Sequence, residues 1–124
     1  MTGVHFVAAK ASDVQILGGR ADLANFRMME AHRMLADDVS LHSADFYSST
    51  LQFCAITDCD LTEANFQDAR VSGLHLHGST IDGLRGVLSL GGSRVSPDQV
   101  VPLGAAILAA TGIQVTDPPG RHER

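Results

Sequence analysis

The sequence between Ala44 and Phe66 reads ADFYS-STLQF-CAITD-CDLTE-ANF when it is divided into blocks of five residues. Each block begins with a small residue (Ala, Ser or Cys) and has a large apolar residue (Phe, Leu or Ile) at its third position. The other positions are mostly polar. An α-helix repeats every 3.6 residues and a β-strand every two, so neither element explains an apolar column of period five.

The five-residue period extends outward from this stretch in both directions. Stepping by five from Phe6 to Ile81 reaches sixteen positions, and every one of them is apolar. A column that is mostly small from residue 44 onward runs two positions earlier. Four of the five phenylalanines recur every twenty residues, at Phe6, Phe26, Phe46 and Phe66. A square coil with five residues per side explains both periods, because two residues of each block then point inward.

Three triplets of this stretch resemble the A-(D/N)-(L/F) core of the pentapeptide-repeat family: Ala44-Asp45-Phe46, Cys59-Asp60-Leu61 and Ala64-Asn65-Phe66. The resemblance is strongest over residues 39–83 and stays in phase over residues 4–36. It implies an all-β solenoid, namely a right-handed quadrilateral parallel β-helix with four repeats per coil. Sixteen repeats would then make about four coils, in a shaft roughly 20 Å long.

The two ends of the predicted β-helix, residues 4–93, differ. Met29 precedes Ala31 and Met34 precedes Ala36, so the large and small partners have exchanged places at roughly constant volume. The earlier pairs Ala9/Ala11 and Gly19/Ala21 have no such compensation, so we expect the first coil to be the loosest. No capping element is evident before Val4. The edge of the first coil is therefore open, paired with something, or continued by preceding chain.

A capping and dimerisation helix is predicted over residues 96–112. Ser96 is a good N-cap, Pro97 suits the first turn, Gln99 completes a capping box and Gly112 is a C-terminal stop. The helix is apolar on nearly every side, so one face is expected to cover the last coil and another to pair with a second chain. The candidate dimer interface consists of Val100, Leu103, Ile107 and Leu108. Residues 116–124 are polar and proline-rich and are expected to be disordered.

Charge is distributed unevenly along a chain whose formal net charge is −5. Residues 30–68 contain eight acidic residues against one basic residue, Arg33, which is a net charge of −7. A nucleic-acid interface built on a basic face is therefore disfavoured, whereas a basic protein surface could be attracted. By the twenty-residue register Asp38 and Asp58 stack on one another. The candidate partner-binding surface consists of Asp37, Asp38, Asp58, Asp60, Asp45 and Glu63.

No pattern in the chain indicates catalysis, a cofactor or a metal. Five histidines (His5, His32, His42, His75 and His77) fall at outward positions on different faces or coils. Cys54 and Cys59 fall in the small inward column, where buried reduced thiols are expected, and reduced thiols fit a cytoplasmic protein. No apolar run approaches the ~20 residues of a membrane span, and no secretory leader is evident.

Two functional hypotheses follow. The first is a non-enzymatic structural and interaction protein that presents an acidic rod surface to a protein partner. The second comes from the resemblance, since some pentapeptide-repeat proteins are dimeric acidic rods that mimic DNA and protect DNA gyrase and topoisomerase IV from quinolones. Its contact candidates here are Asp37, Asp38, Asp58 and Asp60. The chain departs from that pattern in its shorter shaft and in having no long loop.

Overall fold

A computed structural model of the chain describes residues 5–114 and Thr116. Its chain winds into stacked square coils, and a residue with positive φ stands at the corner of each side. These corner residues recur every five positions from Ala8 to Gly83. A turn closes many corners, as where the Ala44 N–H donates to the Leu41 carbonyl (3.0 Å) and the Ala64 N–H to that of Leu61 (2.9 Å). The five-residue period is therefore the length of one side plus its turn.

Seven three-residue strands form the regular sides of the coils. One sheet has the order β1-β3-β5-β7 and the other the order β2-β4-β6, and all pairs are parallel with partners twenty residues apart. The strands are β1 Lys10–Ser12, β2 Gln15–Leu17, β3 Glu30–His32, β4 Leu35–Asp37, β5 Thr50–Gln52, β6 Ala55–Thr57 and β7 Arg70–Ser72. The two remaining sides pair through single bridges at the same spacing, such as Asn25 with Asp45 and Ser40 with Asp60.

The interior confirms the predicted columns. The rings of Phe6, Phe26, Phe46 and Phe66 stack on one side, with centroids 5.4, 4.8 and 4.7 Å apart in that order. Phe46 and Phe66 are fully buried. The exchanged pairs are buried as well, with Met29 and Met34 facing inward beside Ala31 and Ala36. Stacked aromatic pairs add to the apolar area that each ring buries.

The number of well-formed coils is smaller than predicted. The inward columns are buried from Ala21 to Leu84 except for the half-buried Val71, which corresponds to roughly three coils rather than four. The first coil is paired with the second, but none of its described residues before Ala21 is buried. This coil is the loosest, as predicted, because Ala9 and Ala11 fill too little of the space between the sides.

The β-helix ends where Gly86 occupies the place of a fifth phenylalanine, twenty residues after Phe66. A 3-10 helix, Val87–Leu90, then turns Val87 and Leu90 inward over the last coil. A second 3-10 helix, Pro97–Gln99, leads into α1, Val100–Thr111, which Gly112 ends in a left-handed conformation. The capping box of Ser96 and Gln99 is present.

Two predictions fall largely outside the described residues. These are the start of the pattern at Val4 and, apart from Thr116, the disordered tail over residues 116–124. Within the described residues, no helix is long and apolar enough to cross a membrane.

Candidate functional site: the acidic corner

The acidic corner is the edge of the shaft that follows strands β4 and β6. Asp38 and Asp58 occupy it in successive coils, and both adopt the left-handed conformation, with φ of 57° and 52°. Aspartate tolerates this region better than most residues, which suits it to a corner that must turn. Both side chains are exposed, and neither carboxylate takes part in a hydrogen bond with residues 5–114. The register therefore brings these two together as predicted.

Asp37 and Asp60 flank the corner, but their carboxylates accept hydrogen bonds from other residues of the shaft. Asp37 accepts a hydrogen bond from Thr57 Oγ1 (2.8 Å) in the next coil. Asp60 accepts from the Thr62 backbone N–H (3.0 Å) and from Thr62 Oγ1 (2.5 Å). These hydrogen bonds from Thr62 hold the pKa of Asp60 below its usual value. Both carboxylates are half-buried. They therefore add negative charge to the corner but are less accessible to a partner than the exposed Asp38 and Asp58.

Asp45 and Glu63 do not belong to the same corner. Glu63 is exposed at the next corner around the coil, with φ of 60°. Asp45 lies one side further on, where it accepts from the Tyr47 N–H (3.0 Å) and Asn65 Nδ2 (3.3 Å) and pairs with Arg27 (3.5 Å). The six predicted acids are therefore spread over two corners and the side beyond them.

Sequence reasoning also missed a basic residue at this site. Arg20 lines the shallow depression that holds Asp38, Asp58 and Asp60, and it pairs with Asp22 (2.9 Å). Asp22 in turn accepts a short hydrogen bond from Ser40 Oγ, and both contacts lower its pKa. The count of charge over residues 30–68 could not register Arg20, because it reaches the corner from the coil before.

Comparison with known proteins rests on the repeat segment. The family model described as pentapeptide repeats matches residues 44–83 in eight copies. Residues 44–83 therefore consist of pentapeptide repeats. The fold of the chain is the right-handed quadrilateral β-helix that the resemblance implied.

Solved structures of pentapeptide-repeat proteins align with most of the chain. Rfr23 from the cyanobacterium Cyanothece 51142 is 13% identical with a TM-score of 0.52, over 76% of this chain and 88% of Rfr23. HetL, which is involved in heterocyst differentiation regulation in the cyanobacterium Nostoc sp. strain PCC 7120, is 18% identical with a TM-score of 0.50. That alignment covers 73% of this chain and 46% of HetL. Identities this low show the fold alone.

A third structure superposes poorly on the chain. QnrB1, a plasmid-mediated fluoroquinolone resistance protein, is 14% identical over 94% of this chain and 98% of its own, with a TM-score of 0.18. A score this low carries no argument about fold or function. No curated protein sequence matches the chain.

The C-terminal helix α1 exposes an apolar face. Residues Val100–Thr111 include no charged side chain, and only Ala106 is buried. Of the predicted interface, Val100 is 60% exposed and Ile107 39% exposed, whereas Leu103 packs on the core and Leu108 is half-buried. Val101, which the sequence did not single out, is the most exposed large apolar residue of the helix, at 82%. A uniformly apolar helix gives no sequence signal for which face packs.

The two cysteines occupy the inward environment that the period predicts. Cys54 and Cys59 are free and buried, and burial raises the pKa of both thiols. Their Sγ atoms donate to the carbonyls of Gln52 (3.4 Å) and Thr57 (3.2 Å), respectively. Among the described residues, no group of three or more His, Cys, Asp or Glu side chains is placed to hold a metal ion.

Proposed function

We propose that this pentapeptide-repeat protein is a non-enzymatic interaction protein whose acidic corner binds a basic surface of a protein partner. The observation that carries the proposal is the stacked pair Asp38 and Asp58. Both carboxylates are exposed and neither is neutralised by an ion pair within residues 5–114, while neighbouring acids are used by internal hydrogen bonds. Aligned free charges raise the local concentration of an oppositely charged partner and speed its association.

A symmetric dimer through α1 is part of this proposal. The exposed apolar side chains of Val100, Val101 and Ile107 form a surface that is costly to leave in water. A two-fold axis would bury the same face of both copies against one another. We place the dimer in the cytoplasm, a location that the two reduced thiols support.

Proton-transfer chemistry has little support in the acidic region. A general acid working near neutral pH needs a carboxyl group whose pKa is raised. Here hydrogen bonds lower the pKa of both Asp22 and Asp60. The acidic residues therefore suit electrostatic recognition better than catalysis.

The test compares two variants with the same change in net charge. Asp38→Lys/Asp58→Lys reverses the acidic corner, and Glu30→Lys/Asp68→Lys reverses two exposed acids elsewhere on the shaft. Each protein is immobilised, and the proteins captured from a bacterial lysate are quantified by mass spectrometry. We expect a partner that binds the wild type and the control variant and is lost from the corner variant. Equal capture by both variants would refute recognition through this corner.

A narrower candidate is a DNA mimic that binds a type II topoisomerase. The repeat of a free carboxylate at one corner in successive coils favours it, because a duplex also presents negative charges at a regular spacing. The test is a supercoiling assay with purified gyrase, with and without a quinolone, across a range of this protein's concentration. Inhibition or protection that the corner variant lacks supports this candidate. An unchanged assay with folded protein rejects it and leaves the general proposal standing.

A further inference from the structure

The N-terminal end of the shaft presents two open strand edges. Among residues 5–114, strands β1 and β2 lie at the ends of their sheets, with a neighbouring strand on one side each. In the second coil, the Glu30 N–H donates back to the Ala9 carbonyl (2.9 Å) and the Leu35 N–H to that of Val14 (2.8 Å). By the twenty-residue register, the corresponding N–H groups of Lys10 and Gln15 point out of the first coil. An exposed strand edge is a template for pairing with another chain.

The same end opens into the apolar interior. Phe6 is 41% and Val14 36% exposed there, whereas the matching Phe26 and Met34 one coil later are buried. The described residues that line the opening are all apolar, namely Phe6, Ala11, Val14, Ile16, Ala21, Phe26, Met29 and Met34. Covering it would bury apolar surface and pair backbone groups in one event.

The opposite end of the shaft cannot supply the cover. There Gln99 Nε2 donates to the carbonyls of Leu76 (2.6 Å) and Ser79 (2.8 Å), so two carbonyls of the last coil are already satisfied by the cap. Helix α1 and the first 3-10 helix lie over the same coil. Head-to-tail stacking of copies is therefore blocked by each copy's own C-terminal cap.

An end of square cross-section with a five-residue period needs an equally square partner. The same end of a second copy has that shape by symmetry.

Charge favours this pairing over a lateral one. Residues 5–24 contain two basic residues, Lys10 and Arg20, and two acidic ones, Asp13 and Asp22, so the end is neutral. The shaft over residues 30–68 is strongly acidic, so two copies packed side by side would repel one another. Contact between the two neutral N-terminal ends has no such repulsion.

We propose that two copies of the chain stack through their N-terminal ends, with β1 and β2 of one copy continuing the sheets of the other. The contact is a second two-fold interface at the opposite end of the rod from α1. Together with the α1 dimer, which rests on the proposed function above, two such contacts join copies into an open linear chain. The end of one coil offers less area than a standard protein–protein interface buries. The association is therefore weak and depends on protein concentration.

Sedimentation velocity over a range of protein concentrations tests the proposal with two variants that block different ends. Val14→Glu puts a charge in the apolar opening, and Val101→Glu puts one on α1, where an acid near the helix N-terminus is well tolerated. We expect a wild-type size that grows with concentration, a dimer for each single variant and a monomer for the double variant. Met28→Glu, at an exposed apolar corner of the second coil, is the control and should behave as wild type.

The outcomes separate the two interfaces. A monomeric Val101→Glu protein overturns the N-terminal contact, whereas a monomeric Val14→Glu protein overturns the helix dimer and leaves the N-terminal contact standing. Since Val14→Glu could unfold the first coil, Gln15→Pro provides a second variant that removes only an outward N–H. Hydrogen exchange of wild type gives an independent readout. Protection of the Lys10 and Gln15 amides must rise with concentration, and constant exchange overturns the proposal.

Discussion

At the scale of single residues, the Asp or Asn before a large inward side chain fixes the turn that follows it. The side-chain oxygen accepts a hydrogen bond from the N–H two residues later, at 3.0 Å for Asn25, Asp45, Asp60 and Asn65. Such Asx turns satisfy a backbone donor locally while the chain bends. This explains the preference for Asp or Asn in the triplet that identifies the repeat.

Acid stability should depend on these carboxylates. The Thr62 hydrogen bonds lower the folded-state pKa of Asp60, so their stabilisation is present above the unfolded value of about 3.9 and is lost as pH falls through the folded value. We expect the melting temperature to fall below about pH 4 and to fall less steeply in Asp60→Asn, which keeps the Oδ1 acceptor. Thermal melts between pH 7 and pH 3 measure this. Superimposable pH profiles would count against the assignment.

Gly86 is required at the end of the shaft. A Cβ there would lie 2.2 Å from the Gln67 nitrogen and 2.4 Å from the Phe66 carbonyl carbon, and its φ is 77°. Gly86→Ala should cost about 2–5 kcal/mol, from backbone strain and overpacking. Gly91→Ala is the control, because Gly91 has a φ of −56° and a Cβ added there would meet no atom within 4 Å. Chemical denaturation measures the unfolding free energy of both variants. An equal loss in the two would contradict the requirement for glycine at position 86.

At the scale of elements, the C-terminal cap is held by one buried polar side chain. Gln99 is 2% exposed. Its Nε2 binds two carbonyls of the last coil, and its Oε1 accepts from the Ser96 N–H (2.7 Å) and Oγ (2.9 Å). One residue thus starts the helix and closes the β-helix, which joins the two elements mechanically.

Replacing Gln99 should therefore loosen the whole cap. Gln99→Leu has a similar size but leaves the Leu76 and Ser79 carbonyls and the Ser96 N–H without partners. We expect a loss of about 2–4 kcal/mol, since each buried unsatisfied group costs about 1–3 kcal/mol and the cap can relax. Asp98→Ala, at the exposed neighbouring position, should cost less than about 1 kcal/mol. A neutral Gln99→Leu in urea unfolding would show that the cap is held by apolar contacts instead.

The sequence predicts these elements unequally, for physical reasons. The inward columns and the C-terminal end of α1 depend on local pattern, so the burial of Phe46 and the stop at Gly112 are as predicted, whereas Ser96 caps a 3-10 helix and α1 itself begins only at Val100. Whether a carboxylate stays free of hydrogen bonds depends on partners one coil away, as Thr57 is for Asp37. The five-residue period alone does not show which side chains pair. The sequence does not reveal that Gln99 also binds the last coil, because the capping box alone accounts for a glutamine at this position.

The corners show the same limit. Left-handed positions favour Gly, Asn and Asp, yet Leu23, Met28 and Phe53 adopt positive φ here. The stacking of the sides overrides their local preference, which no single-residue signal reveals.

At the scale of the whole molecule, the shaft is a stack of similar coils whose two ends differ. Each coil pairs mainly with the coils beside it, so stability grows with the number of well-packed levels. Its middle holds the buried phenylalanine stack, one corner holds the free carboxylates, and the N-terminal level is open. Each of these placements depends on a single twenty-residue register.

The most direct test of that register compares two phenylalanines in one denaturation experiment. Phe46 is 1% exposed and stacked between two rings, whereas Phe53 is 63% exposed at a corner. We predict that Phe46→Ala costs about 3–5 kcal/mol of unfolding free energy and that Phe53→Ala costs less than about 1.5 kcal/mol. Equal costs, or a larger cost at Phe53, would contradict the register and with it the positions of the acidic corner and both proposed interfaces.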